Sequence, residues 1–181
     1  MGNLHRPRLD IGETMSGIIG VSPDMRSGVV GKYPTGHVIQ TITAHSATEV
    51  NAAGNNYVTI TNMSGAITPK KDNSKIIIHM DMGGKLKAEN WLGVYVKVTG
   101  TATGIVKENT EYAYSTVNDS LWMPFPISIL AVDTPASTST QTYQLHVRTG
   151  ADGTVADLRV NSTNAATDTN PATITLTEVA Q

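Results

Sequence analysis

No cysteine occurs in the 181 residues, so neither a disulfide framework nor a thiolate-based metal or redox centre is available to this chain. Phenylalanine occurs once and tryptophan twice, so core bulk has to come mostly from Val, Ile and Leu. Such a core is modest for a monomer of this length, and burying further surface between subunits would add to it. Charge is also scarce. Charged residues make up 15% and the net charge is −2, which excludes a basic nucleic-acid footprint and an acidic solvating tail. The longest apolar run, about Ile129–Val132, falls far short of the roughly 20 residues of a membrane span. Behind the charges of Met1–Arg6 there is no apolar stretch of signal-peptide length, and the sixth residue is not the Ser or Thr of a myristoylation motif. The expectation is a soluble protein made in the cytoplasm without a leader, with no nucleic-acid partner and no membrane insertion.

What the chain does contain is β-forming sequence. Thr, Ser, Asn, Val and Ile dominate, in short runs punctuated by Gly, Asn, Asp and Pro. Strands are predicted at 37–43, 57–61, 65–68, 75–82, 91–99, 103–106, 111–116, 121–132, 141–148, 154–160 and 172–179. Spacing near 12 residues with turn signals between runs predicts a two-sheet antiparallel sandwich over 36–181. The only stretch with helical character is Lys85–Asn90, one or two turns at most. Pro124 and Pro126 cannot donate to a ladder, so they are expected at a sheet edge or bulge.

Residues 1–35 read differently. They hold Pro7, Pro23 and Pro34, many glycines and little alternation. Within them "SGIIG" (Ser16–Gly20) and "SGVVG" (Ser27–Gly31) repeat, eleven residues apart. Paired β-branched residues between glycines suit docking onto a neighbouring sheet edge or shallow pocket. The segment is too apolar for a comfortable free tail. It is therefore read as an extended docking arm, with Ile18, Ile19, Val29 and Val30 as its contact residues and a reach of roughly 115 Å at ~3.3 Å per residue.

Four stretches resemble a family of virion proteins common in tailed phages. "ITPKKDNSKIIIHMDMGG" (Ile67–Gly84) is similar to that family's most recognisable segment, and "GVVGKYPTGHVIQTIT" (Gly28–Thr43) to the opening of its domain. "TYQLHVRT" (Thr142–Thr149) and "PATITLTEVAQ" (Pro171–Gln181) resemble its penultimate and closing strands. The resemblance implies an all-β, antiparallel jelly-roll knob similar to the complement globular head and tumour necrosis factor. Members are head fibres, capsid decoration proteins or tail fibres, normally homotrimeric, with the last strand near the three-fold axis. It implies no catalytic residue. Residues 1–27 lie outside it.

The chemistry-bearing residues do not assemble into a catalytic pattern. His79 and Asp81, two apart, share a face of one predicted strand. A metal would need a third ligand, and no His-x-His or Glu-x-x-His pattern supplies one, so a polar pair facing solvent or an interface is expected. His37, His45 and His146 have no partners in sequence. Ser16 and Ser64 each follow Met and precede Gly, which is no nucleophile elbow, and no carboxylate pair for glycoside hydrolysis can be assigned. Gly150–Thr154 reads as a hairpin turn, and 161–170 as a solvated loop or a glycan-binding tip. The sequons at Asn62, Asn118 and Asn161 carry no weight in a chain this rich in Ser and Thr. No catalytic residue, cofactor or metal is expected.

The reading is thus a non-enzymatic virion-surface protein. Its partners would be two further copies of itself and other virion proteins of the capsid or tail. The alternative is a tail-fibre or baseplate knob that binds a host-surface glycan or protein. The chain has no heptads, collagen-like triplets or repeated hairpins to form a stalk, which favours decoration of a capsid.

Overall fold

A computed structural model describes residues 34–51, 56–88, 92–115, 119–151, 157–160 and 172–181. They hold ten strands: β1 (Val38–Ser46), β2 (Val50–Asn51), β3 (Val58–Ile67), β4 (Lys75–Ala88), β5 (Leu92–Gly100), β6 (Gly104–Ser115), β7 (Asp119–Asp133), β8 (Gln141–Ala151), β9 (Asp157–Val160) and β10 (Ala172–Val179). All pairings are antiparallel. The all-β jelly-roll sandwich expected from the sequence is the fold observed.

The first sheet centres on β4. Strand β7 runs along nearly all of it, from Ile76 opposite Asp133 to Ala88 opposite Asp119. Strand β10 pairs with its first half and β9 with its second. Because one side of β4 is taken by β7, β9 and β10 lie end to end on the other. β1 then pairs with β10, and β2 with β9. The second sheet has the order β3-β8-β5-β6. The long strands thus follow β1-β10-β4-β7 in one layer and β3-β8-β5-β6 in the other, the double Greek key of a jelly roll.

Period-two alternation explains which side chains meet between the layers. β4 sends in Ile76, Ile78, Met80 and Met82, β7 sends Ile127, Ile129 and Ala131, and β10 sends Ile174 and Leu176. Val94, Val96 and Val98 of β5 and Tyr143, Leu145 and Val147 of β8 meet them from the other sheet. Each such burial stabilises the fold by roughly 1.5–3 kcal/mol before ordering entropy is subtracted.

Four local expectations are corrected. The runs at 57–61 and 65–68 belong to one strand, β3, whose pairing with β8 shifts register between Thr59 and Ser64. Extra residues bulge there, so buried Ile60 and Met63 break the alternation and mimic two strands. Likewise the runs predicted at 103–106 and 111–116 merge into one strand, β6, over Gly104–Ser115. At Lys85–Ala88 the chain is strand, not helix. A single turn has no intrinsic stability, while here β7 and β9 offer pairing on both sides. Gly83 and Gly84, expected to end the strand, lie within it. The Phe125 ring covers Gly84 closely enough that a Cβ would come 3.0 Å from its Cζ, so an aromatic neighbour fills the space that glycine leaves empty. Pro124 and Pro126 lie in β7, which among the described residues pairs only with β4, so they occupy the edge that their missing N–H requires.

The sandwich is closed where it begins. The Gly36 N–H donates to Ala180 O at 2.8 Å and the Ala180 N–H to His37 O at 2.9 Å, with Gly36 at φ 85°. The first strand is thereby tied to the last.

Candidate binding surfaces

The two sheets turn very different faces outward. On β1-β10-β4-β7 the exposed row begins with paired hydroxyls. Thr41 lies 3.3 Å from Thr177, Thr43 lies 3.5 Å from Thr175, and His45 Nδ1 lies 3.1 Å from Thr173 Oγ1. Beyond them on β4, His79 Nε2 meets Asp81 Oδ2 at 3.1 Å with both side chains half exposed, and Ser128 Oγ approaches His79 at 3.4 Å. Further across, the face becomes apolar. Leu130 is 58% exposed and Val132 53%, Val132 being the cross-strand neighbour of Ile77. Val38 (52%) is exposed on β1, at the opposite edge of this layer, and Ile105 (56%) on β6 of the other layer. Lys107 Nζ bonds Leu130 O at 2.7 Å and ties β6 to β7.

The outward face of β3-β8-β5-β6 is cationic and aromatic. The Arg148 guanidinium lies 4.0 Å from the Tyr95 ring centre and 5.1 Å from that of Tyr57, and Lys97 Nζ lies 4.1 Å from the Tyr57 ring centre. The Tyr57 hydroxyl donates to Glu108 Oε1 at 2.8 Å. Burial, then the hydrogen bond to Glu108, raises the Tyr57 phenol above its ordinary range, with Arg148 opposing. Beside this group His146 is held between two threonine hydroxyls, Thr59 at 3.0 Å and Thr99 at 2.9 Å.

Burial, followed by the charge of Lys97, lowers the His146 pKa. The unfolded chain therefore binds this proton more readily than the folded one. The stability contributed by neutral His146 is complete above about pH 6.5 and is lost as pH falls from there through the folded value. Between about pH 7.5 and pH 5 the native protein is expected to lose more unfolding free energy than a His146→Gln variant does. Urea melts of both at the two pH values check this, and identical losses would refute it.

Two buried polar centres escape any sequence motif. Glu178 is fully buried in β10. Its carboxylate accepts from Gln40 Nε2 at 2.6 Å, Ser74 Oγ at 2.7 Å, and the Lys70 and Lys71 N–H groups at 2.8 and 3.3 Å. One side chain thus organises the turn between β3 and β4. The second centre is Asp133, which accepts from Thr103 Oγ1 at 2.6 Å and the Tyr143 hydroxyl at 2.8 Å. Burial and then Asp133 push the Tyr143 phenol far up, so it serves as a donor. A signal for Glu178 was present: it occupies the same alternation phase as Ile174 and Leu176. Nothing local marks Asp133.

The docking residues Ile18, Ile19, Val29 and Val30 lie outside the described residues, as do Ser16, Asn118, Asn161 and the loop at 161–170. The structure brings His79 and Asp81 together, while His45 and His146 lie on opposite sheets. Among the described residues, no three His, Asp or Glu side chains are grouped as metal ligands would be.

No family model matches the chain, and no curated protein matches it. Among solved structures it is similar to that of the infectious bursal disease virus Gx strain, at 19% identity and a TM-score of 0.38 over 90% of this chain and 41% of that one. It is also similar to a mutant VP2 protein in derived T=1 particles of the same virus, at 18% identity and a TM-score of 0.40 over 90% and 40%. A VP2 subviral particle gives 21% identity and 0.34 over 90% and 42%. The chain spans about two fifths of the length of the chains it matches, and at these scores the likeness assigns it no activity or partner.

Proposed function

We propose that this chain is a non-enzymatic virion structural protein: a homotrimeric jelly-roll knob on the particle surface, seated on the capsid and anchored by its N-terminal arm, residues 1–35. The phage-protein resemblance supports this reading, because its segments map largely to β1, β4, β8 and β10, three of which are neighbours in one sheet. The observation that carries it is the exposed apolar end of that sheet. Leu130 and Val132 on β7, and Val38 on β1, leave apolar side chains exposed on two unlike surfaces at the opposite edge strands of one layer. Unlike patches of one molecule pair heterologously, and a rotation that closes makes a ring.

Light scattering of the purified protein is expected to give about three times 19.2 kDa. Leu130→Lys combined with Val132→Lys is expected to yield folded monomers, since both positions are exposed and surface changes alter stability by only about 0.5 kcal/mol. A native protein that stays monomeric at micromolar concentration would sink the trimer.

The alternative, a tail-fibre or baseplate knob that binds a host-surface glycan or protein, is favoured by one observation, the tyrosine and cation cluster on the opposite sheet. Locating the protein in intact particles by labelled antibody separates the two readings: capsid labelling supports decoration, and labelling at the tail tip supports the alternative.

A further inference from the structure

We propose that the outward face of β3-β8-β5-β6 binds a carboxylate-bearing sugar, with Arg148 and Lys97 holding the carboxylate and Tyr57 and Tyr95 fixing the two cations in position. Only the source of the sugar, a host surface, rests on the proposed virion role; the binding itself does not.

The sheet register builds this group. Tyr95 lies opposite Arg148, and Lys97 lies opposite His146 on one side and Glu108 on the other, with Thr59 across from His146. Both cations lie within about 5 Å of the centre of one ring, that of Tyr57. Among the described residues the ion pairs are His79–Asp81 and Arg159–Glu49; neither Arg148 nor Lys97 has one. Glu108 already accepts from Tyr57. Counting Arg148, Lys97 and Glu108, the cluster carries a net positive charge. Two like charges held against one ring favour an anion bound beside them. A guanidinium held over a ring by its quadrupole keeps N–H donors for the paired oxygens of a carboxylate.

The cluster is also preorganised. The Tyr95 ring sits so closely on Gly150 that no Cβ fits there, which fixes the ring under Arg148, and prior ordering of this kind favours affinity. A sugar suits the face better than a peptide does. Strands β5 and β8, which carry Tyr95, Lys97 and Arg148, are paired on both sides, so neither offers an edge for strand addition. The flanking groups are the hydroxyls of Thr59 and Thr99 about His146, donors and acceptors that match a polyhydroxylated ring.

The test is an NMR titration of the full chain with methyl glucuronide and with methyl glucoside, which differ only in the carboxylate. Saturating shifts at Arg148, Lys97 and His146 are expected with the glucuronide. The glucoside should bind at least about ten-fold more weakly, the usual cost of losing a charge-assisted hydrogen bond. Bound carboxylate offsets the charge of Lys97, so the His146 pKa should rise on saturation. Arg148→Gln and Lys97→Gln should each weaken binding about ten-fold with unchanged melting curves. Equal binding of the two glycosides would overturn the proposal. So would acetate binding as tightly as the glucuronide, which marks a simple anion site, or a Glu-rich peptide binding more tightly, which marks a protein partner. Because the measurement needs neither particle nor trimer, its failure would leave the proposed virion role untouched.

Discussion

Replacing Glu178 with Ala is expected to lower unfolding free energy by about 3–5 kcal/mol, the scale on which removing one partner from a buried charged network destabilises a fold. Four donors lose their acceptor together: the Gln40 amide, the Ser74 hydroxyl and the backbone N–H groups of Lys70 and Lys71. Glu178 is fully buried, so water does not simply replace it, and the shortened side chain leaves a cavity as well. Glu178→Gln keeps one acceptor oxygen but turns an N–H₂ group toward donors. It should fall between the native protein and the Ala variant. Thermal melts measure both, with a drop on the order of 10 °C expected for Ala in a domain of this size. A change under about 1 kcal/mol would mean that the turn between β3 and β4 finds other acceptors, and that the carboxylate is not its organiser.

Removing residues 1–31 is expected to abolish attachment to the particle while leaving a folded trimeric knob. We propose "SGIIG" and "SGVVG" as two rungs of one docking arm. In each, the central pair offers apolar side chains to a neighbouring subunit or lattice, and the flanking glycines allow close approach of the backbone. Ser22-Pro23-Asp24 between them supplies turn-forming residues. Burial of Ile18, Ile19, Val29 and Val30 would contribute on the order of several kcal/mol, at ~1.5–3 per side chain before the ordering cost of the arm. Changing all four to Ser should have nearly the effect of truncation. Copies per particle, counted by quantitative gel or particle imaging, decide the matter. Full occupancy by the truncated protein would place attachment in the jelly roll.

The layered β-architecture was legible in the sequence because alternation is a local property. Ala172, Ile174 and Leu176 declare the buried side of β10 by their own polarity, and Val94, Val96, Val98 and Tyr143, Leu145, Val147 do the same on β5 and β8. The prolines of β7 could be placed at an edge for an equally local reason, their lack of an N–H. The pairing of His79 with Asp81 follows from two-residue spacing alone. Where β3 bulges and where β4 continues through Gly83 and Gly84 was decided by partner strands, because the register shift against β8 and the ring of Phe125 are contacts with distant sequence. The cation cluster, the Asp133 centre and the donors around Glu178 were invisible for the same reason. Tyr57, Tyr95, Lys97, Glu108 and Arg148 come from four strands or their flanks. Glu178 meets donors more than a hundred residues earlier in the chain. Sequence by itself determined period, composition and therefore layers. Only the tertiary structure decided which polar groups face one another, because a hydrogen bond or a cation over a ring depends on spatial distances of a few ångströms that chain spacing does not encode.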